Sequence, residues 1–239
     1  MEPLPGNVIR VIDQQVEKWL GQTQWQAPAV NAIELARRLG LIISWDQQLT
    51  GRGRCQRLGE QSVIFIRPDP RPERVQWTVA HELGELAAPL CFPHLKGVLD
   101  EQEPAQREQF ANAFASRLLL PTKWISQDLQ DGHDDLMWFK DRYSTASCEL
   151  IISRWLDFQP SAVLTIFDEQ QMTRRRSGWA RRPPRLQQME QACVEQVRST
   201  AAPYCCEDEQ LRVRGWPVYE PGWQREILWT RPLEEACCE

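Results

Sequence analysis

The chain has 239 residues, 42% hydrophobic and 26% charged, a globular balance that excludes a fibre or wholesale disorder and leaves room for a main domain with an appendage. Its net charge of -5 offers no general cationic field for a polyanion, so direct nucleic-acid binding is disfavoured. No apolar run approaches the roughly 18 residues of a membrane span, and the start MEPLPGNVIRVIDQQ has no basic leader followed by a hydrophobic stretch; a cytoplasmic protein with no membrane partner is expected.

Eight cysteines raise the question of a disulfide scaffold, but a chain of this size does not need staples. Cys205 with Cys206 and Cys237 with Cys238 are adjacent pairs and lack the C-x-x-C spacing that lets two thiolates converge on zinc; Cys55, Cys91, Cys148 and Cys193 are scattered. Reduced, structural thiols are expected.

In chain order, the first helix begins near Asn31, where a side-chain cap with Glu34 three residues on precedes Ile33, Leu35, Ala36 and Leu39, and Gly40 ends it. Residues 41–45, LIISW, and 62–66, SVIFI, read as strands around the turn-rich TGRGRC, and RPDPRP then breaks the pattern. From Arg74 to Pro89 the apolar positions Val75, Val79, Leu83 and Leu86 recur at helical spacing. A second long helix at 105–120 has Phe110, Phe114 and Leu118 as its buried stripe, with Pro121 after its end. Shorter helices are expected at 124–129, 134–143 and 148–158, then a strand at 161–167. Residues 171–186 concentrate Arg174, Arg175, Arg176, Arg181, Arg182 and Arg185 with two prolines and read as a linker or exposed loop. A helix at 187–197 and strands around LRVRGWPVY and REILWT complete the chain.

The chemistry concentrates in WTVAHELGE, residues 77–85. On a helix, His81 and Glu85 stand four residues apart on one face, so two ligands can reach one metal. Glu82 is rotated by about 100° and falls where a carboxylate can act as general base on a water. The pattern alone does not decide, because a His and a Glu four apart on an exposed face are also what plain solvation produces. A third ligand has to come from elsewhere, and the second long helix offers Glu108.

WTVAHELGE followed by E-x-x-A-N-x-F-A-x-x-L-L-L-P resembles the ImmA/IrrE family of metallo-endopeptidases. The resemblance extends to IELARRLGLIISW, SVIFI and YSTASCELIISRWLDF and so covers residues 1–168. It implies an α+β, zincin-like metallopeptidase domain with a small antiparallel sheet and a helical bundle over 1–168. It leaves 169–239 as an arginine- and proline-rich linker and a small C-terminal α/β appendage of unknown role. It implies Glu82 as the catalytic residue and His81, Glu85 and Glu108 as ligands of a divalent metal, with Asn112, Phe114 and Pro121 on the family's positions. It also implies a protein substrate, a helix-turn-helix repressor, whose cleavage releases a stress response.

The family's second histidine is here Glu85. Two carboxylates put more negative charge on the ion, so its water is harder to deprotonate, and the oxygen-richer shell weakens the preference for Zn2+ over Mn2+ without removing it. A second reading therefore stands beside the peptidase: a catalytically weak or inactive regulator that binds a repressor or DNA. Beyond Pro93, His94 can fold back to replace Glu85 or to support the site, while His133, in QDGHDD, reads as a turn residue. The strand at 62–66 is either the edge on which a peptide adds or an interior strand. The eleven tryptophans read as core, since no alternation with basic residues suggests base stacking.

Overall fold

The structure, a computed structural model, describes residues 4–100, 102–178 and 182–233. Arg181, Cys237 and Cys238 lie outside the described residues. The chain divides into two compact units, Met1–Ser147 and Cys148–Glu239.

The first unit begins with α1, Gly6–Gln22, an element the sequence reading does not place. Its buried Val8, Ile12, Val16, Trp19 and Leu20 follow helical spacing, but Pro5 precedes it and no side chain caps it. Helix α2, Ala32–Arg38, starts as expected: the Asn31 side chain accepts from Glu34 N at 3.1 Å. Three strands follow, β1 Ile42–Trp45, β2 Gly53–Leu58 and β3 Gln61–Ile66. Their order is β1-β3-β2, with β1 parallel and β2 antiparallel to β3, so the sheet is mixed where an antiparallel one is expected. Of the two readings of 62–66, the interior strand is the one found, and β1 and β2 are the two edges. GRCQRL hides that strand because none of its residues is fully buried, so it shows no apolar alternation.

Helix α3, Pro72–Cys91, runs two residues past Pro89 and buries Val75, Val79, Ala80, Leu83 and Ala87. A short 3-10 turn, Phe92–His94, follows. Helix α4, Pro104–Leu119, lies against α3 with Phe110, Phe114 and Leu118 fully buried, and Trp19 of α1 meets Phe114 edge-on at 5.3 Å. Helices α5, Thr122–Gln130, and α6, Leu136–Arg142, complete the unit. Asp135 caps α6 by accepting from Met137 N and Trp138 N, and buried Tyr143 donates to Asp128 at 2.7 Å.

The second unit contains α7 Cys148–Trp155, β4 Val163–Asp168, β5 Gln171–Ser177, α8 Gln188–Thr200, β6 Tyr204–Glu207, β7 Leu211–Glu220 and β8 Trp223–Pro232. Its five strands are ordered β5-β4-β8-β7-β6 and every pairing is antiparallel, so this part is α+β where an α/β appendage is expected. Helix α8 starts at a capping box between Gln187 and Glu190 and packs over β7, where a Cβ at Gly215 would lie 2.7 Å from Val197 Cγ2. Trp155 meets Trp216 and Trp229 edge-on at 6.3 and 5.6 Å, which puts these tryptophans in the core as expected.

Two expectations are corrected here. The expected division at 168/169 differs from that of the two units, because the strand expected to close the first domain pairs with β5 and β8 of the second. The arginine-rich stretch is likewise not a linker as far as Ser177, since Arg174, Arg175 and Arg176 lie on β5. Arg175 is buried there against Glu190, so a residue type that suggests solvent is used as an internal counter-charge. Arg182 and Arg185 are exposed and outside regular secondary structure.

Candidate metal centre

Helix α3 carries His81, Glu82 and Glu85, and α4 carries Glu108 and Asn112. Gly84 sets how closely the two helices approach. A Cβ at that position would lie 2.8 Å from both Cα and O of Ala111 and 3.1 Å from Phe114 Cβ, so any larger residue pushes α4 away. With the helices this close, ligand atoms of His81, Glu85 and Glu108 all lie within 4.8 Å of one another, and His81 Nε2 is 3.5 Å from Glu108 Oε2. Two donors each about 2.0–2.2 Å from a tetrahedral ion stand roughly 3.3–3.6 Å apart, so the His81–Glu108 pair fits as placed and Glu85 completes the set with a small shift.

Asn112 holds two members of this set. Its Oδ1 lies 3.2 Å from His81 Nδ1, and its Nδ2 donates to Glu108 Oε1 at 3.0 Å. An amide oxygen only accepts, so the contact calls for a proton on Nδ1 and leaves Nε2, which faces Glu108, as the nitrogen that can offer a lone pair in the neutral ring. Arg107 Nη2 donates to Glu85 Oε2 at 2.5 Å. That cation offsets part of the extra negative charge that Glu85 brings in place of a histidine.

Glu82, a residue on from His81, points toward the sheet. It is nearly buried, and its Oε2 accepts from the backbone N–H of Cys55 at 2.8 Å. Gly53 makes this approach possible: a Cβ there would sit 2.5 Å from Thr78 Cγ2 and 2.9 Å from Glu82 Oε1. Burial pushes the Glu82 carboxyl above its ordinary value, and the charges of Glu85 and Glu108 add to the rise. His81 and the Cys55 N–H act against it. A carboxyl shifted in this direction holds a proton more readily than a free one. The Cys55 thiol, in the same cleft, is pushed up by burial and then by Glu82, so it is a poor nucleophile.

The four site residues expected from sequence are thus brought together, three as a donor set and Glu82 beside it. His94 is exposed on the 3-10 turn and is outside the donor set found among the described residues. His133 stacks on Trp138 at 3.7 Å, a local contact near the turn. Gly53, Gly84 and Arg107 were not anticipated. An isolated glycine inside a helical pattern was a signal for Gly84, whereas Gly53 and Arg107 act only through tertiary neighbours.

Residues 42–155, a little under half of the chain, match the family model described as the IrrE N-terminal-like domain of peptidase M78. No curated protein matches. Among solved structures, a Mycobacterium tuberculosis transcriptional regulator is similar at 13% identity and a TM-score of 0.61, with 93% of this chain and 88% of that chain covered. At that identity the likeness speaks for the fold. No helix among the described residues is long and apolar enough to cross a membrane.

Proposed function

We propose, from the match of residues 42–155 to the IrrE N-terminal-like domain of peptidase M78, that the chain is a metal-dependent endopeptidase acting on a regulatory protein, a helix-turn-helix repressor. The observation that carries the reading is the approach of His81, Glu85 and Glu108 to within 4.8 Å of one another beside the buried Glu82. His81 Nε2 and one carboxylate oxygen each of Glu85 and Glu108 would hold a divalent ion, Zn2+ by its tolerance of mixed nitrogen and oxygen donors, with Mn2+ as the harder alternative. When bound, the ion supplies Lewis-acid polarisation of the peptide carbonyl and eases deprotonation of water.

The chain's own residues do the remaining work. Glu82 takes the proton of the attacking water and returns it to the leaving amine. Edge strand β2 offers backbone on which an extended substrate adds as a further strand, alongside the base. Asn112 keeps His81 in the tautomer with a free Nε2. A transcriptional regulator among the similar structures accords with a regulatory substrate.

One observation favours the second reading, a regulator that binds without cutting: Glu85 is already engaged by Arg107. Elemental analysis and a cleavage assay on the cognate repressor separate the two. The peptidase reading expects about one divalent ion per chain, lost in His81→Ala and in Glu108→Ala, and a cleavage rate reduced ~100- to 10,000-fold in Glu82→Gln with the metal retained. Unchanged metal content in both ligand variants removes the site. Full metal with no Glu82-dependent cleavage leaves the binding regulator.

A further inference from the structure

One cleft of the first unit, about 550 Å3, has Glu82 and Glu85 in its wall, and the other charged residues lining it are all arginines: Arg54 and Arg57 from β2 and Arg107 from α4. This reverses the sign of a chain whose net charge is -5. The two glutamates do not cancel the arginines. Glu85 is paired with Arg107, and Glu82 is buried against the Cys55 N–H. Arg54 and Arg57 are exposed, and Arg57 Nε donates to Gly59 O at 3.3 Å, a neutral acceptor that leaves the guanidinium charge uncompensated.

The placement of Arg57 follows from strand geometry. Gly53 faces α3, since a Cβ there would touch Thr78 and Glu82, and alternation puts Cys55 and Arg57 on the same face. Arg57 is two residues beyond the Cys55–Glu82 bond and four beyond Gly53, or roughly 7 and 13 Å at ~3.3 Å per residue. A peptide laid along the free edge of β2 with its reacting bond at Glu82 therefore brings a side chain two to four residues away beside Arg57. Arg54, on the opposite face, adds field without facing the same side chain.

We propose that this cleft selects extended peptides that are acidic two to four residues from the bond to be cut, with Arg57 as the specificity-determining residue. The proposal rests on the peptidase reading for the position of that bond, but the charge selection is a property of the cleft. Because both arginines are exposed, the selection is several-fold and is screened by salt.

The test uses the full chain carrying Glu82→Gln and fluorescein-labelled peptides of one sequence, with Asp, Ala or Lys at the flanking positions, followed by anisotropy. The Asp peptide is expected to bind roughly five-fold tighter than the Ala peptide and the Lys peptide more weakly than either, with the differences closing in 0.5 M salt. Arg57→Ala should bring the three affinities together, and Arg57→Glu should invert the order of Asp and Lys. Binding that ignores peptide charge, no binding, or an Asp preference that survives Arg57→Ala overturns the proposal. So does a DNA oligonucleotide that outcompetes the Asp peptide with the same dependence on Arg57. Cleavage by the native chain keeps the two readings apart. Cleavage of the Ala and Asp peptides at equal rates removes the acidic selection and leaves the peptidase. Asp-selective binding with no peptide cleaved leaves the selection and removes the peptidase.

Discussion

Glu190 and Glu226 in the second unit and Glu82 in the first are all buried carboxylates, and their surroundings differ in kind. Glu190 receives Arg175 Nη1 and Nη2 at 2.9 Å each, together with Thr230 Oγ1 and Gln187 N. Glu226 receives Arg198 Nε and Nη2 at 3.1 and 3.0 Å and Tyr219 OH at 3.1 Å. Glu82 has a single backbone N–H and sits near two further carboxylates, which adds to the rise in its pKa. A carboxylate whose task is to hold a fold is neutralised by a guanidinium fork and saturated with donors. Glu82 has no such fork: one backbone N–H and the His81 ring are what favour its charge, and the fold tolerates the cost at that one point.

The contrast can be broken most sharply in the second unit. Glu190→Ala leaves Arg175 buried without its partner and should lower the stability of that unit by about 3–5 kcal/mol, read by urea unfolding through Trp155, Trp216 and Trp229. A loss under about 1 kcal/mol would mean that the fork is not what holds Glu190. The second test concerns how the first unit positions its donors with a neutral amide. Asn112→Ala should weaken Zn2+ affinity of the metal-free chain about 10- to 100-fold, measured by competition with a chromophoric chelator, while the fold is retained. Unchanged affinity would show that His81 and Glu108 need no such support. The smallest effect is expected where the contrast is deepest. Glu82→Gln keeps an oxygen for the Cys55 N–H and removes a charge that burial disfavours, so stability should change by no more than about 1 kcal/mol, and upward if it moves. A loss comparable to that of Glu190→Ala would place Glu82 among the structural carboxylates.

What could be read in advance followed how local each signal is. His81, Glu82 and Glu85 are written within one helical turn, and α4 is legible from Phe110, Phe114 and Leu118, so both helices could be placed from sequence and a candidate donor set proposed, with Glu108 supplied by the resemblance. Asn31 announced α2 by its cap. Helix α1 carried a readable period but no cap, and β2 carried no period because it lies at an edge with both faces partly open. The arginines of β5 misled because charge predicts solvent until a buried partner is known, and Glu190 is 15 residues away from Arg175. Arg107 with Glu85 is the same case across 22 residues.

The bare backbone at Gly84 gives position 84 authority over a centre it never touches. Metal sites tolerate about 0.2 Å in donor distance, and a methyl group at position 84 would lie 2.8 Å from the Ala111 backbone, so α3 and α4, which carry the candidate donors, would have to move apart. If the proposed centre holds an ion, its selection is open to change at a residue with no donor atom of its own. A search for altered metal preference in this scaffold would begin with the spacing of the two helices as much as with the ligands they carry.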